Sequence, residues 1–148
     1  MPSMVVTFGT HPRQVVQTSF VPKLLSTPEE KQKLLCETGI DHTMVLNFDQ
    51  NMAALTAREF MQRGLKERLN VGQLVIGYDN KFGHNREESF EDYCRYGEML
   101  GIRVVEAPQF EPDGVHISSS AIRNHLLEGR VRQANALLGY AYSLGGKV

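Results

Sequence analysis

Short apolar runs alternate along this chain with segments whose apolar residues recur at helical spacing, and the alternation predicts the elements. Met4-Val5-Val6-Thr7-Phe8 is β-branched, apolar and stopped by Gly9 and Pro12, which reads as a buried strand. From His11 to Leu25 the chain carries Pro12 and Pro22 and shows no period, so a long loop is expected. Thr27-Pro28-Glu29-Glu30 is a helix start: Thr27 caps, Pro28 fits the first helical position and Glu30 completes a capping box. Gly39 should end that helix. Thr43-Met44-Val45-Leu46 is the next strand. A helix follows, signalled best by Thr56-x-x-Glu59, with Met61, Leu65 and Leu69 as its core stripe. Gly64 inside it costs about 1 kcal/mol against Ala, so it either permits close packing or marks a boundary.

Leu74-Val75-Ile76 is the third strand, closed by Gly77 and followed by a polar loop to about Arg86. Phe90, Tyr93, Cys94, Gly97 and Leu100 share one helix face that stops at Gly101, and Ile102 to Val105 is the fourth strand. Two short helices, from about Ser119 to Glu128 and from about Val131 to Leu138, follow. Alternating strands and helices predict an α/β fold with an open, mainly parallel sheet. The strands' unbroken apolar character predicts cover on both faces, a three-layer α/β/α sandwich. Ligands in such folds bind beyond the carboxyl ends of the strands, so the loops after Phe8, Phe48, Ile76 and Val105 are the ones to watch.

Composition narrows the picture only slightly. A length of 148 residues fits a single domain spanning 1–148, and 41% apolar with 22% charged residues is the balance of a globular protein. The net charge of −1 offers no polybasic field for nucleic acid or an anionic membrane. No apolar run reaches membrane-spanning length and the first residues do not resemble a signal peptide, so a cytoplasmic protein is expected. Cys36 and Cys94 form no CxxC pattern and read as reduced thiols. His11, His42, His84, His116 and His125 show no metal-ligand spacing, so no metal-binding residues are expected.

Three stretches carry candidate chemistry. Ser118, Ser119 and Ser120 open a helix, with Arg123 one turn on. A helix start offers unpaired N–H groups and partial positive charge, and hydroxyls with a guanidinium would complete a phosphate cradle. The same residues also read as an ordinary N-cap with two spare serines and a solvated arginine, since caps are so common. Ile76-Gly77-Tyr78-Asp79-Asn80-Lys81-Phe82-Gly83-His84 follows the third strand; either its ring and acid meet a ligand, or Phe82 folds back onto the core. Phe8-Gly9-Thr10-His11-Pro12-Arg13 follows the first strand; either His11 and Arg13 meet phosphate, or it is a charged turn.

Together, and in this order, the stretches resemble the FMN adenylyltransferase domain of bacterial bifunctional riboflavin kinase/FAD synthetases. That family's F-D-P-H-P is similar to Phe8 to Pro12, its G-x-D-F-x-F-G to Gly77 to Gly83, and its I-S-S-[ST]-x-x-R to Ile117 to Arg123. The resemblance implies a Rossmann-like nucleotidyltransferase fold and adenylyl transfer from ATP to FMN, giving FAD and pyrophosphate, with Mg²⁺ assisting. It implies that Ser119 and Arg123 serve catalysis, that Ser118, Ser119, Ser120, Arg123 and His11 bind ATP, and that Asp79, Phe82 and Pro12 bind the flavin. FMN and ATP would be the small-molecule partners, with neither nucleic acid nor membrane, and a riboflavin kinase domain would follow at the C-terminal side.

The chain also departs from the family. The family's G-x-H-x-G-H motif, whose histidines hold ATP phosphates, is absent from the 148 residues. The resemblance therefore implies a truncated domain in which the first strand and helix are missing, with little or no transfer by this chain alone. The unpaired strand edges would be met by a homo-oligomer, by strand rearrangement, or not at all. Gly9-Thr10 replaces Asp-Pro, implying a less rigid first loop, and Asn80 replaces an aromatic residue. A non-catalytic flavin- or nucleotide-binding module, or a related transferase acting on another phosphate, is the alternative.

Overall fold

The computed structural model describes residues 1–16, 19, 21–84 and 86–145, with the side chains of Arg13, Val16 and Asp113 outside that description. Residues Met1–Pro108 form one compact unit and Gln109–Val148 a second.

The first unit is built from two β-α-β crossovers. Strands β1 (Met4–Phe8) and β2 (His42–Leu46) pair in parallel, from Met4 opposite His42 to Phe8 opposite Leu46. Helix α2 (Pro28–Glu37) lies between them in the chain and packs on β2. Its start obeys its sequence: the Thr27 side chain accepts from the Glu30 N–H, while the Thr27 N–H donates to the Glu30 carboxylate at 2.8 Å. Thr38 closes the helix and Gly39 follows in the left-handed region. Strands β3 (Gln73–Gly77) and β4 (Arg103–Ala107) form the other parallel pair. Their crossover, α5 (Phe90–Leu100), runs from a Ser89–Asp92 capping box to a left-handed Gly101.

The fold class is the expected Rossmann-like α/β, but its strands lie in two separate two-stranded ladders rather than one continuous sheet among the described residues. Strand β3 is also not covered on both faces. Neighbouring strand residues point to opposite faces, so Ile76 is buried at 4% exposure while Val75 stands 57% exposed.

Between Asp49 and Leu69 the single expected helix is two. Helix α3 (Gln50–Ala53) is capped by Asp49, which accepts the Met52 N–H at 2.8 Å. Helix α4 (Ala57–Glu59) opens on the Thr56–Glu59 capping box and continues over Phe60–Glu67 in the wider π form. Gly64 serves close packing there: a Cβ at this position would sit 3.3 Å from the Phe60 ring. The core lies where this helix, α5 and the β3–β4 pair meet, and consists of Ala57, Met61, Leu65, Ile76, Tyr93 and Ile102.

The loop expected after His11 begins instead with a one-turn helix, α1 (Pro12–Val16), which packs on α3. Pro12 occupies the helical start that its ring geometry favours, and one turn is too short to show a period. In the second unit, α6 (Ser119–Leu127) packs against α7 (Val131–Leu138), burying Ile122 and Ala134. A short 3₁₀ turn at Pro112–Gly114 precedes them.

Candidate functional site

The carboxyl ends of β1, β2 and β3 feed three loops, and residues of all three line one cavity of about 340 Å³ in the first unit. Phe8, His11 and Pro12 come from the first, Phe48 and Met52 from the second, and Asn80, Lys81, Phe82 and Gly83 from the third. Phe60, at the start of the π segment, adds a fourth side. The size lies within the range of small-molecule sites, and the walls are mostly apolar with a few polar groups, as such sites require.

Two edge-to-face aromatic pairs make the walls. Phe8 and Phe48 meet with ring centroids 5.0 Å apart at 75°, and Phe60 and Phe82 at 5.5 Å and 64°. The end of β1 is fixed by Lys31 of α2, whose Nζ donates to Thr7 Oγ1 and to the Phe8 carbonyl, each at 3.1 Å. Gly9 continues the ladder one step, donating to the Leu46 carbonyl at 3.0 Å.

The loop after β3 is tied down along its length. Asn80 N–H donates to the Gly77 carbonyl at 2.9 Å, and His84 N–H to the Leu55 carbonyl at 2.8 Å. Phe82 N–H donates to the Tyr93 hydroxyl, and that hydroxyl donates back to the Phe82 carbonyl, both at 3.1 Å. The Phe82 and Tyr93 rings are stacked, 4.4 Å apart at 15°. Burial pushes the Tyr93 phenol above its usual pKa, so it stays a neutral donor at physiological pH. Gly83, at φ +99°, lies so close to α4 that a Cβ would come within 2.7 Å of the Ala57 nitrogen. Arg86 closes the loop in the left-handed region at φ +54°, its Nε donating to the Lys81 carbonyl at 3.0 Å.

Phe82 folds back onto the core beside Tyr93, as one of its two sequence readings expects, and its ring also lines the cavity. The fold gathers Phe82, Pro12 and His11 around that space. Asp79 lies on the same loop but is exposed and does not line the cavity. The Arg13 side chain lies outside the described residues. Phe48, Met52, Leu55, Phe60 and Arg86 also line the cavity, and none of them lies in a stretch that carries candidate chemistry in the sequence. The position of Phe48 after the second strand is the signal for that side of the cavity.

A second hollow of about 250 Å³ in the same unit is lined by Thr56, His84, Glu87, Glu88, Asp92 and Tyr96. Its three carboxylates disfavour anionic ligands.

In the second unit, Ser118 is the N-cap of α6, its Oγ accepting the Ala121 N–H at 3.2 Å. Ser119 and Ser120 occupy the first two helical positions, where backbone N–H groups have no acceptor within the helix, and both side chains are exposed. Arg123 is half-buried. One serine caps and two hydroxyls face solvent, an arrangement able to receive an anion.

Parallel β-α-β crossovers with a cavity at the carboxyl ends of the strands define a Rossmann-like α/β domain. The FAD synthetase family model matches residues 1–121, and the chain belongs to that family. It is 34% identical over 148 residues to the bifunctional riboflavin kinase/FMN adenylyltransferase of Escherichia coli (strain K12), covering 100% of this chain and 47% of that protein. The protein of the same description from Pseudomonas fluorescens is 32% identical over 148 residues, again covering 47% of the relative. The chain thus spans about half the length of the curated relatives it matches. A crystal structure described as a macrolide-efflux protein from Streptococcus pneumoniae shares the fold with a TM-score of 0.81 and 31% identity, over 95% of this chain and 45% of that one. No helix among the described residues is long and apolar enough to cross a membrane.

Proposed function

We propose that this domain binds FMN in the aromatic-walled cavity and serves adenylyl transfer from ATP to FMN, giving FAD and pyrophosphate. The observation that carries the reading is the meeting of three strand-end loops around one mostly apolar space bearing Phe8, Phe48, Phe60 and Phe82. A flat fused-ring ligand is the chemistry such walls accept. Membership of the FAD synthetase family supports the same choice.

Phe82 and Pro12 contact the ring system, whereas Asp79, outside the cavity lining, takes no part in holding the ring there. His11 donates to phosphate at the mouth. Ser119 and Ser120, with the helix-start N–H groups and Arg123, receive the triphosphate of ATP, while Ser118 both caps the helix and retains a hydroxyl proton to donate. A phosphate oxygen of FMN attacks the α-phosphorus, the bond to the bridging oxygen breaks, and pyrophosphate leaves with its electron pair. Arg123 and the amide groups stabilise the charge that builds on the phosphate oxygens. Mg²⁺ comes with the nucleotide, as it usually does at triphosphates.

The 148 residues contain no H-x-G-H sequence, and this favours a second reading in which the chain alone binds flavin without transferring adenylate. One experiment separates the two. The chain is incubated with FMN, ATP and Mg²⁺, with FMN fluorescence followed and FAD sought by chromatography. Quenching with little or no FAD is the expected result and supports the binding reading for the chain alone. FAD formation establishes transfer without the histidine motif. Neither quenching nor product removes flavin from the cavity.

A further inference from the structure

Phe82 is the aromatic wall of the cavity on the β3 side, yet it lies on a loop, where a ring is free to turn unless something holds it. Tyr93 holds it at three points. Its hydroxyl accepts from the Phe82 N–H and donates to the Phe82 carbonyl, both at 3.1 Å, so one phenol satisfies both backbone groups of one residue. Its ring stacks on the Phe82 ring at 4.4 Å and 15°. Tyr93 is itself 2% exposed and set in the core by α5, so it transmits the rigidity of that core to the loop. It does not line the cavity. A phenylalanine at this position would keep the stacking and lose both hydrogen bonds, leaving two backbone groups of a part-buried residue without their partner.

We infer that Tyr93 is a positioning residue for the flavin, setting the orientation of the Phe82 ring through its hydroxyl. The inference rests on the flavin reading proposed above. A preorganised wall binds a rigid ring without first being ordered, and that saved ordering is the contribution of the clamp.

The test compares FMN affinity, by fluorescence quenching at low temperature, for the wild-type chain, Tyr93→Phe and Ile102→Val. Ile102 shares the buried cluster with Tyr93 but does not line the aromatic cavity, so its variant matches a loss of stability without touching the clamp. Tyr93→Phe should weaken FMN binding roughly tenfold, and Ile102→Val should leave it unchanged. Equal affinities for Tyr93→Phe and wild type would overturn the inference while the flavin reading stands. An equal loss in both variants would also overturn it, by showing a general effect of stability. Absence of FMN binding to the wild type would remove the flavin reading and the inference with it. Should Tyr93→Phe fail to fold, NMR titration of the wild-type chain replaces it: FMN should shift the Phe82 amide and the Tyr93 ring signals together. Shifts at Phe60 and Lys81 without those two would sink the proposal.

Discussion

The aromatic cavity and the serine-rich helix start are made in opposite ways. The cavity draws on residues from Phe8 to Arg86, brought together by two crossovers, and its shape depends on contacts between distant residues such as Phe82 with Tyr93 and Gly83 with Ala57. The start of α6 is complete within a few consecutive residues: Ser118 caps, and Ser119 and Ser120 follow in the first turn. A site of the first kind fails when packing fails. One of the second kind persists as long as its helix does, and loses function only when its own side chains are changed.

The sharpest way to break the comparison is Gly83→Val. A β-branched residue at φ +99° is strained, and its Cβ would meet the Ala57 nitrogen at 2.7 Å. The expected loss is about 3 kcal/mol of stability together with FMN binding, measured by urea unfolding and fluorescence titration. If stability and binding survived, the loop would not depend on that contact. Next in size, Arg123→Ala in an active enzyme carrying this domain should lower kcat/KM for ATP by roughly 10²-fold while the thermal midpoint stays nearly constant. Unchanged kinetics would remove Arg123 from the triphosphate.

A smaller effect separates the serines from one another. Ser118→Ala should cost about 1 kcal/mol because it removes the cap to Ala121, whereas Ser120→Ala should leave stability within about 0.5 kcal/mol and weaken nucleotide binding. A reversal of that order would reassign the cap.

The smallest effect concerns acid, and it should fall on the first unit. The backbone N–H groups of Ser3, Thr56 and Ser89 hold the carboxyls of Asp41, Glu59 and Asp92 below their usual pKa values. Stability from a carboxylate of lowered pKa is fully present above its unfolded value and is lost as pH falls through the folded one. The urea midpoint should therefore be flat from neutrality to about pH 5 and decline below about pH 4, modestly because these groups face solvent. Hydrogen exchange resolved by segment should place the early loss at the starts of α4 and α5; a loss confined to α6 would contradict it.

Much of this architecture was legible in the residues themselves. Capping boxes at Thr27, Thr56 and Ser118's simpler cap are decided within four residues, and the left-handed Gly101 ends α5 where a glycine follows an apolar stripe. The stripe of Met61 and Leu65 foretold the core because helical periodicity is a local property. The motifs around Phe82 and Arg123 were likewise visible as short strings. Hidden were the π form of the segment that begins at Phe60, the one-turn α1, and the division of the strands into two ladders. Only α1 has a local signal, Pro12 at its first position, and one turn is too short to show a period. Hydrogen-bonding geometry, capping and periodicity act over a turn or a strand and are written in neighbouring residues. Which ring faces which cavity, and which hydroxyl clamps which loop, is settled only when residues as far apart as Phe8 and Phe82 compete for the same space.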